Sequence, residues 1–275
     1  MRGSDEEEGE DRACRATAGV PIEKGKSLMG DRIPSRVLDS IDAHGGLERW
    51  RAVDDMVLSA SVGGTSLSGK HQGKAIRKLQ AHISPGSQHV VFVPYPEPGK
   101  RGVFEEGTVR IESDRGEVVA ERSDPRNAFR GFRHQLWWDK LDVLYFCGYA
   151  LWTYLTLPFT LAGPGFEVCE LAPWEEGGEI WRRIGVRFPS GIHTHCREQI
   201  LYFDQQGLVR RHDYTSEVFG SWAKAAHYPS DHKTFDGLVV PMRRRVFLRR
   251  RDNRPVTAVT LVWVNIETVR VVSGT

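Results

Sequence analysis

Cysteine is scarce in this chain and is not spaced for chemistry. The four cysteines, Cys14, Cys147, Cys169 and Cys196, make no CxxC or other metal-type pattern, so no cysteine-based metal site is expected. No secretory signal precedes them: the N-terminus, MRGSDEEEGEDR, is acidic and has no apolar core. The expectation is a cytoplasmic, reducing setting with free thiols. Net charge is nearly absent too. The balance of +2 is too small to imply a nucleic-acid or anionic-membrane partner. No internal repeat is evident. No G-x-S-x-G turn and no glycine nest for an oxyanion accompany Ser216, which speaks against a serine nucleophile.

What is present is ordinary globular material: 275 residues, 40% hydrophobic and 27% charged. That length suits one large domain or two small ones and a core that needs no disulfide staples. Residues 1–26 are charged, Gly-rich and poor in large apolar side chains, the composition of a disordered acidic tail. The rest, 27–275, reads as a single β-domain. Order begins near Ile33, where Pro34 suits a first helical turn and Val37, Leu38 and Ile41 recur at helical spacing. Gly45-Gly46 stops that helix, and LERWRAV continues it briefly.

From Met56 the period changes. MVLSASV, GKAIRKLQAHI, HVVFVPY, GVFEEGTVRIES and GEVVAERS are short alternating runs, which predicts four or five sequential antiparallel strands to about residue 122. TVRIESDRGEVVAE reads as a hairpin turning at Asp114-Arg115-Gly116. An apolar segment then interrupts the sheet, with no charged residue from Val143 to Gly163. Its length raises a membrane span, but Gly148 and Pro158 break it and β-patterns flank it. One or two helices at about 137–162, packed on the sheet, are the expectation.

The region His193 to Phe247 carries the chemistry. The turn Asp204-Gln205-Gln206-Gly207 joins two strands, and a loop of two or four residues pairs His195 with Ser216, Arg197 with Tyr214 and Gln199 with His212. His193, His195, Arg197, Gln199, His212 and Tyr214 then share one face. On the other face Glu198 meets Asp213, a like-charge pair that suits solvent, so the His/Arg/Tyr face points inward. Such a face supplies donors, an acceptor and groups that titrate near neutrality. It can line a ligand cavity, form a satisfied hydrogen-bond layer, or face solvent.

Metal is not expected. His193-x-His195 is a zinc-like pair, but His212 lies more than about 10 Å along the sheet, and His227 and His232 fall in what reads as a connection, AHYPSDH. The basic runs Arg243-Arg244-Arg245 and Arg249-Arg250-Arg251 alternate faces in a strand. One of Arg243 or Arg245 is expected inside. Aromatic interleaving of a single-strand platform is absent, so no nucleic-acid partner is expected.

The helix IPSRVLDSIDAHGGLERWRAV before a long antiparallel sheet, and DHKTFDGLVVPMRRRVF near its end, resemble the LolA/LppX-like proteins over about residues 34–272. The resemblance implies an α+β fold: a strongly curved antiparallel β-sheet, an open half-barrel, with helices closing a concave face that holds a lipid or other apolar molecule. It carries over no functional residue, and the polar lining departs from that family's largely apolar cavity.

The leading expectation is a binding protein for a hydrophobic or aromatic small molecule with a polar or anionic group, and no cofactor. Trp138, Tyr145, Trp152 and Tyr154 would form the apolar wall, with His193, His195, Arg197, Gln199, His212 and Tyr214 orienting the polar end. An alternative is a cofactor-independent lyase, isomerase or hydrolase with His195 as base, Tyr214 as acid and Arg197 as electrostatic stabiliser. A third is an interaction module that docks a partner or membrane through residues 143–163.

Overall fold

The computed structural model describes residues 33–73, 76–131, 134 and 136–274; the acidic tail and Cys14 lie outside them. Two helices come first, α1 (Ser35–Ala43) and α2 (Leu47–Arg51). Val37 and Ile41 are the buried face of α1. Gly45 turns the chain at φ 121°, and a Cβ there would stand 2.3 Å from the Gly237 carbonyl oxygen, so only glycine fits.

The strands that follow are β1 (Val53–Gly63), β2 (Lys78–Ser84), β3 (His89–Val93), β4 (Lys100–Glu105), β5 (Thr108–Ser113) and β6 (Val118–Arg122), with α3 (Thr65–Gly69) between β1 and β2. GVFEEGTVRIES is two strands rather than one run. Glu106 (φ 44°) and Gly107 (φ 86°) make a tight two-residue turn between the paired Glu105 and Thr108, the positive-φ geometry that suits strand twist. After α4 (Pro125–Ala128) comes α5 (Lys140–Thr156), then a 3₁₀ turn (Phe159–Ala162). The second run of strands is β7 (Glu167–Glu176), β8 (Glu179–Arg187), β9 (Glu198–Phe203), β10 (Val209–Thr215), β11 (Lys224–Phe235), β12 (Leu238–Arg249) and β13 (Pro255–Ser273).

All pair in one 13-stranded antiparallel sheet of order β6-β5-β4-β3-β2-β1-β13-β12-β11-β10-β9-β8-β7. The first wing thus runs outward from β1, the second runs inward to β13, and the two meet at the β1–β13 ladder. The sheet is strongly curved and stays open, a half-barrel.

Helix α5 packs on the concave side against β3 to β6, and near its end Tyr154 reaches β11 and β12. Its start is fixed by a capping box: the Asp142 N–H donates to Asp139 Oδ1 and the Asp139 N–H to Asp142 Oδ2, each 2.9 Å. Arg122, at the end of β6, pairs with both carboxylates at 2.6 and 2.5 Å. The helix stops before Pro158, which disfavours helical geometry in the preceding residue. Beyond its first turn it is buried on nearly every side, as a helix with no charged residue after Asp142 must be. Residues 143–163 are therefore interior rather than a free docking surface. No helix among the described residues is long and apolar enough to cross a membrane.

Gly148 lies in the middle of α5, where a Cβ would meet Phe104 Cβ at 2.5 Å. Gly148→Ala opposes a helix-propensity gain of about 1 kcal/mol to an overpacking cost of about 1–3 kcal/mol. Phe104 Cβ is held by its own strand and cannot swing away, so the cost wins. We expect a lower urea midpoint for this variant; an unchanged or higher one would mean that α5 lifts off the sheet without penalty.

One expectation about the thiols is corrected. Cys147 and Cys196 are free, but Cys169 is disulfide-bonded, so free thiols throughout no longer support a reducing compartment.

Candidate functional site

Only part of the expected polar face forms on the strands, Gln199, His212 and Tyr214, and it does so by a different register. Five residues, 204–208, separate the paired Phe203 and Val209, and an odd loop exchanges the two faces of the following strand. A β-bulge between Val209 and Arg211 exchanges them back. His212 consequently faces Leu201 rather than Gln199, and Asp213 faces Ile200 rather than Glu198. The pairs slide, but His212 and Tyr214 still point inward with Gln199.

His193 to Arg197 are not strand. Pro189-Ser190-Gly191 breaks the chain after β8, and a loop carries these residues across to the other wing. Gln88, after β2, clamps His193 by accepting from its N–H (2.7 Å) and donating to its carbonyl (2.8 Å). Arg126 donates to the carbonyls of Thr194 (2.6 Å) and His195 (3.1 Å).

This loop drives His195 beneath α5, where it becomes the centre of a hydrogen-bonded group. Tyr154 Oη lies 2.8 Å from His195 Nε2 and 2.6 Å from Tyr214 Oη. Tyr149 Oη lies 3.3 Å from His195 Nδ1. The His195 and Tyr214 rings stack at 3.8 Å. Gln199 bonds His212 Nε2 through Oε1 (2.5 Å) and donates to Thr194 Oγ1 and the Cys196 carbonyl. All of these side chains are buried.

Other expected residues fall elsewhere. Arg197 is exposed, its Nε donating to the Phe188 carbonyl at 3.2 Å; in a loop it is free to turn outward, so its stabilising role is withdrawn. Tyr145 bonds His193 Nδ1 at 2.9 Å, forming a separate pair at the loop's edge. Trp138 belongs to an aromatic cluster with Phe129, Phe146 and Phe219 and donates to the His134 carbonyl. Trp152 donates to the Ser84 carbonyl. Neither tryptophan lines a cavity described here.

The outer face is not wet at Asp213. Arg211 and Asp213 are both buried and paired at 2.7 Å. Glu176 takes Arg211 Nη1 (2.6 Å), and Tyr202 Oη donates to Asp213 (2.8 Å). Glu198 faces Arg187 of β8 instead.

A second polar group lies farther along the concave face. The segment AHYPSDH is part of β11, not a connection, and His212 pairs with His227. The inward arginine is Arg244, not Arg243 or Arg245. Leu238, Val240, Met242 and Val246 are the buried alternate positions of that strand, so Arg244 shares their face. It is 3% exposed. Its Nη2 donates to the Tyr154 carbonyl at 2.6 Å, while its Nε has no partner. His227 is fully buried with both ring nitrogens unpartnered.

Two small cavities flank Tyr154. One is apolar, about 40 Å³ of water-accessible space bounded by Val62, Leu79, Phe92, Leu151, Tyr154 and Val264 among others. The other, about 20 Å³, is bounded by His44, Tyr154, His212, His227 and Arg244 together with Leu and Pro side chains.

Burial holds the His195 imidazole well below its ordinary range, helped by His212 and Arg126, and holds the Tyr214 phenol well above its own. Both are displaced away from neutrality, the wrong direction for a general base and a general acid. Burial also holds His212 down, to about 3, with Arg244 adding to the effect. The group bonds within itself, and His195 and Tyr214 border neither cavity. No group of three or more His, Cys, Asp or Glu among the described residues is placed to hold a metal ion.

No family model matches the sequence, and no curated protein matches it. By structure, the chain is similar to a DUF1329 family protein from Desulfovibrio piger, at 11% identity over 90% of this chain and 95% of that one (TM-score 0.51). It is also similar to a LolA superfamily protein from Nitrosomonas europaea, at 7% identity over 89% and 96% (TM-score 0.51). At these identities the likeness is one of fold. The open antiparallel half-barrel is a LolA-like fold.

Proposed function

We propose that the protein binds a hydrophobic or aromatic small molecule with a polar group, held between α5 and the concave face of the sheet. The observation that carries this reading is the pair of cavities meeting at Tyr154, one lined by apolar side chains and the other by His and Arg. That is the composition of a small-molecule site, mostly apolar with a few placed polar groups. The apolar cavity, about 40 Å³, is far below the roughly 300 Å³ or more that a drug-sized ligand occupies. Binding therefore displaces α5, which acts as a cover over the half-barrel.

An uncharged fluorescent probe, N-phenyl-1-naphthylamine, tests the reading directly. Saturable binding is expected. Leu151→Trp, which fills the apolar cavity from the helix side, is expected to weaken it at least about tenfold while the far-ultraviolet circular dichroism stays unchanged. Absence of saturable binding to the unmodified protein would sink the proposal.

A further inference from the structure

We infer that Arg244 and His227 form a buried anchor for the carboxylate of an amphiphile, a monocarboxylate whose apolar body passes Tyr154 into the apolar cavity. This rests on the binding function proposed above and gives its ligand a chemical class.

The donor inventory of the smaller cavity points to an anion. The Arg244 guanidinium has only donors, and its Nε–H has no acceptor. A neutral His227 carries one N–H, and neither of its nitrogens has a partner. His44 bonds the Ser40 carbonyl through Nδ1 (2.8 Å), and His212 is bound to Gln199. Protein interiors rarely leave such groups unpaired, and here the two unpaired side chains line the same space.

Charge leads to the same answer. Among the described residues Arg244 makes no ion pair, although it is buried. Asp204, whose charge is felt at His44, is occupied: its Oδ1 accepts the N–H groups of Gln206 and Leu208. A buried guanidinium without a carboxylate is the half of a pair that a ligand completes. Four histidines, His44, His212, His227 and His232, feel the Arg244 charge, so a metal cation is disfavoured where an anion is welcome.

A carboxylate is the simplest group that completes the pair: its two oxygens can accept from the Arg244 Nε–H and the His227 N–H together. Arg244 and the wall residue Tyr154 are already joined through the Tyr154 carbonyl, and the Tyr154 ring lies 5.1 Å from the guanidinium. The polar end and the apolar body thus meet at one residue.

The experiment compares dodecanoate with 1-dodecanol by calorimetry on the full chain, with N-phenyl-1-naphthylamine as the neutral reference. Dodecanoate is expected to bind at least about tenfold tighter than the alcohol, the scale of a charge-assisted hydrogen bond. Arg244→Met and Arg244→Gln are each expected to bring the acid down to the alcohol's affinity while leaving alcohol and probe binding intact. His227→Phe is expected to weaken the acid alone. Equal affinity of acid and alcohol for the unmodified protein, with the probe still bound, would overturn the anchor and leave the binding function standing. If probe, acid and alcohol all fail to bind, the binding function falls and the anchor falls with it.

Discussion

Arg244→Met will melt at a higher temperature than the unmodified protein. A guanidinium 3% exposed has surrendered its hydration, a penalty of several kcal/mol per ion even after relaxation. One hydrogen bond to the Tyr154 carbonyl returns about 1–3 kcal/mol, and no carboxylate among the described residues completes the compensation. Burial lowers the Arg244 pKa to about 10, the mark of a charge that the folded state holds at a cost. Methionine fills a similar length with apolar atoms and adapts to irregular space. Replacing buried charges by well-packed apolar residues commonly stabilises by about 1–4 kcal/mol. For a chain of this size that is a rise of several degrees, at about 2–4 °C per kcal/mol. Differential scanning calorimetry without added ligand measures it. A fall of several degrees would show that Arg244 serves the fold. A rise, together with the loss of acid binding, would show that stability is spent on function.

The second large effect is expected in acid. His195, His212 and His227 are fully or almost fully buried, and burial holds each below the ordinary value of 6.5. Well above that value both folded and unfolded chains hold neutral rings, and their contribution does not vary with pH. Below it the unfolded chain takes up protons that the folded chain refuses, so stability falls as pH falls. The loss contributed by His212 continues until its folded value of about 3 is reached. At about pH 5 His212 alone costs about 2 kcal/mol. His44, His195, His227 and His232 push in the same direction. Urea midpoints followed by circular dichroism should be flat from about pH 8 to 7 in the histidine contribution and then drop steeply toward pH 5. A midpoint that holds steady to pH 5 would mean that these rings accept protons in the folded state.

Much of this architecture is legible in the chain because the signals are local. The alternation of Arg211-His212-Asp213-Tyr214 identifies a strand with two chemically distinct faces, and the charge-free run after Asp142 identifies a buried helix. The errors come from distant partners. Asp213 reads as solvent-facing until Arg211 receives Glu176 from β7. Arg197 reads as inward until Gln88 and Arg126 hold its loop off the sheet. His227 is hidden by Pro229, which looks like a turn. That proline is tolerated because the β10–β11 pairing begins at His227 and does not extend to it. Arg244 is different, because Leu238, Val240, Met242 and Val246 already give its parity in the sequence. Tyr149 carries no such signal, since only the tertiary placement of α5 separates it from the other aromatic residues of the helix.

The way helix α5 is held has a mechanical consequence. It is fastened at one free margin of the sheet and again at the sheet's middle: its start lies beside β6, and near its end the Tyr154 carbonyl accepts from Arg244 of β12. At the β6 rim Arg122 also ties the helix start to the strand end. The helix is therefore a strut with two fastenings. Lifting its start must part the Arg122 pairs, and lifting its end must part the Arg244 bond, so opening the space beneath it has a cost at either end.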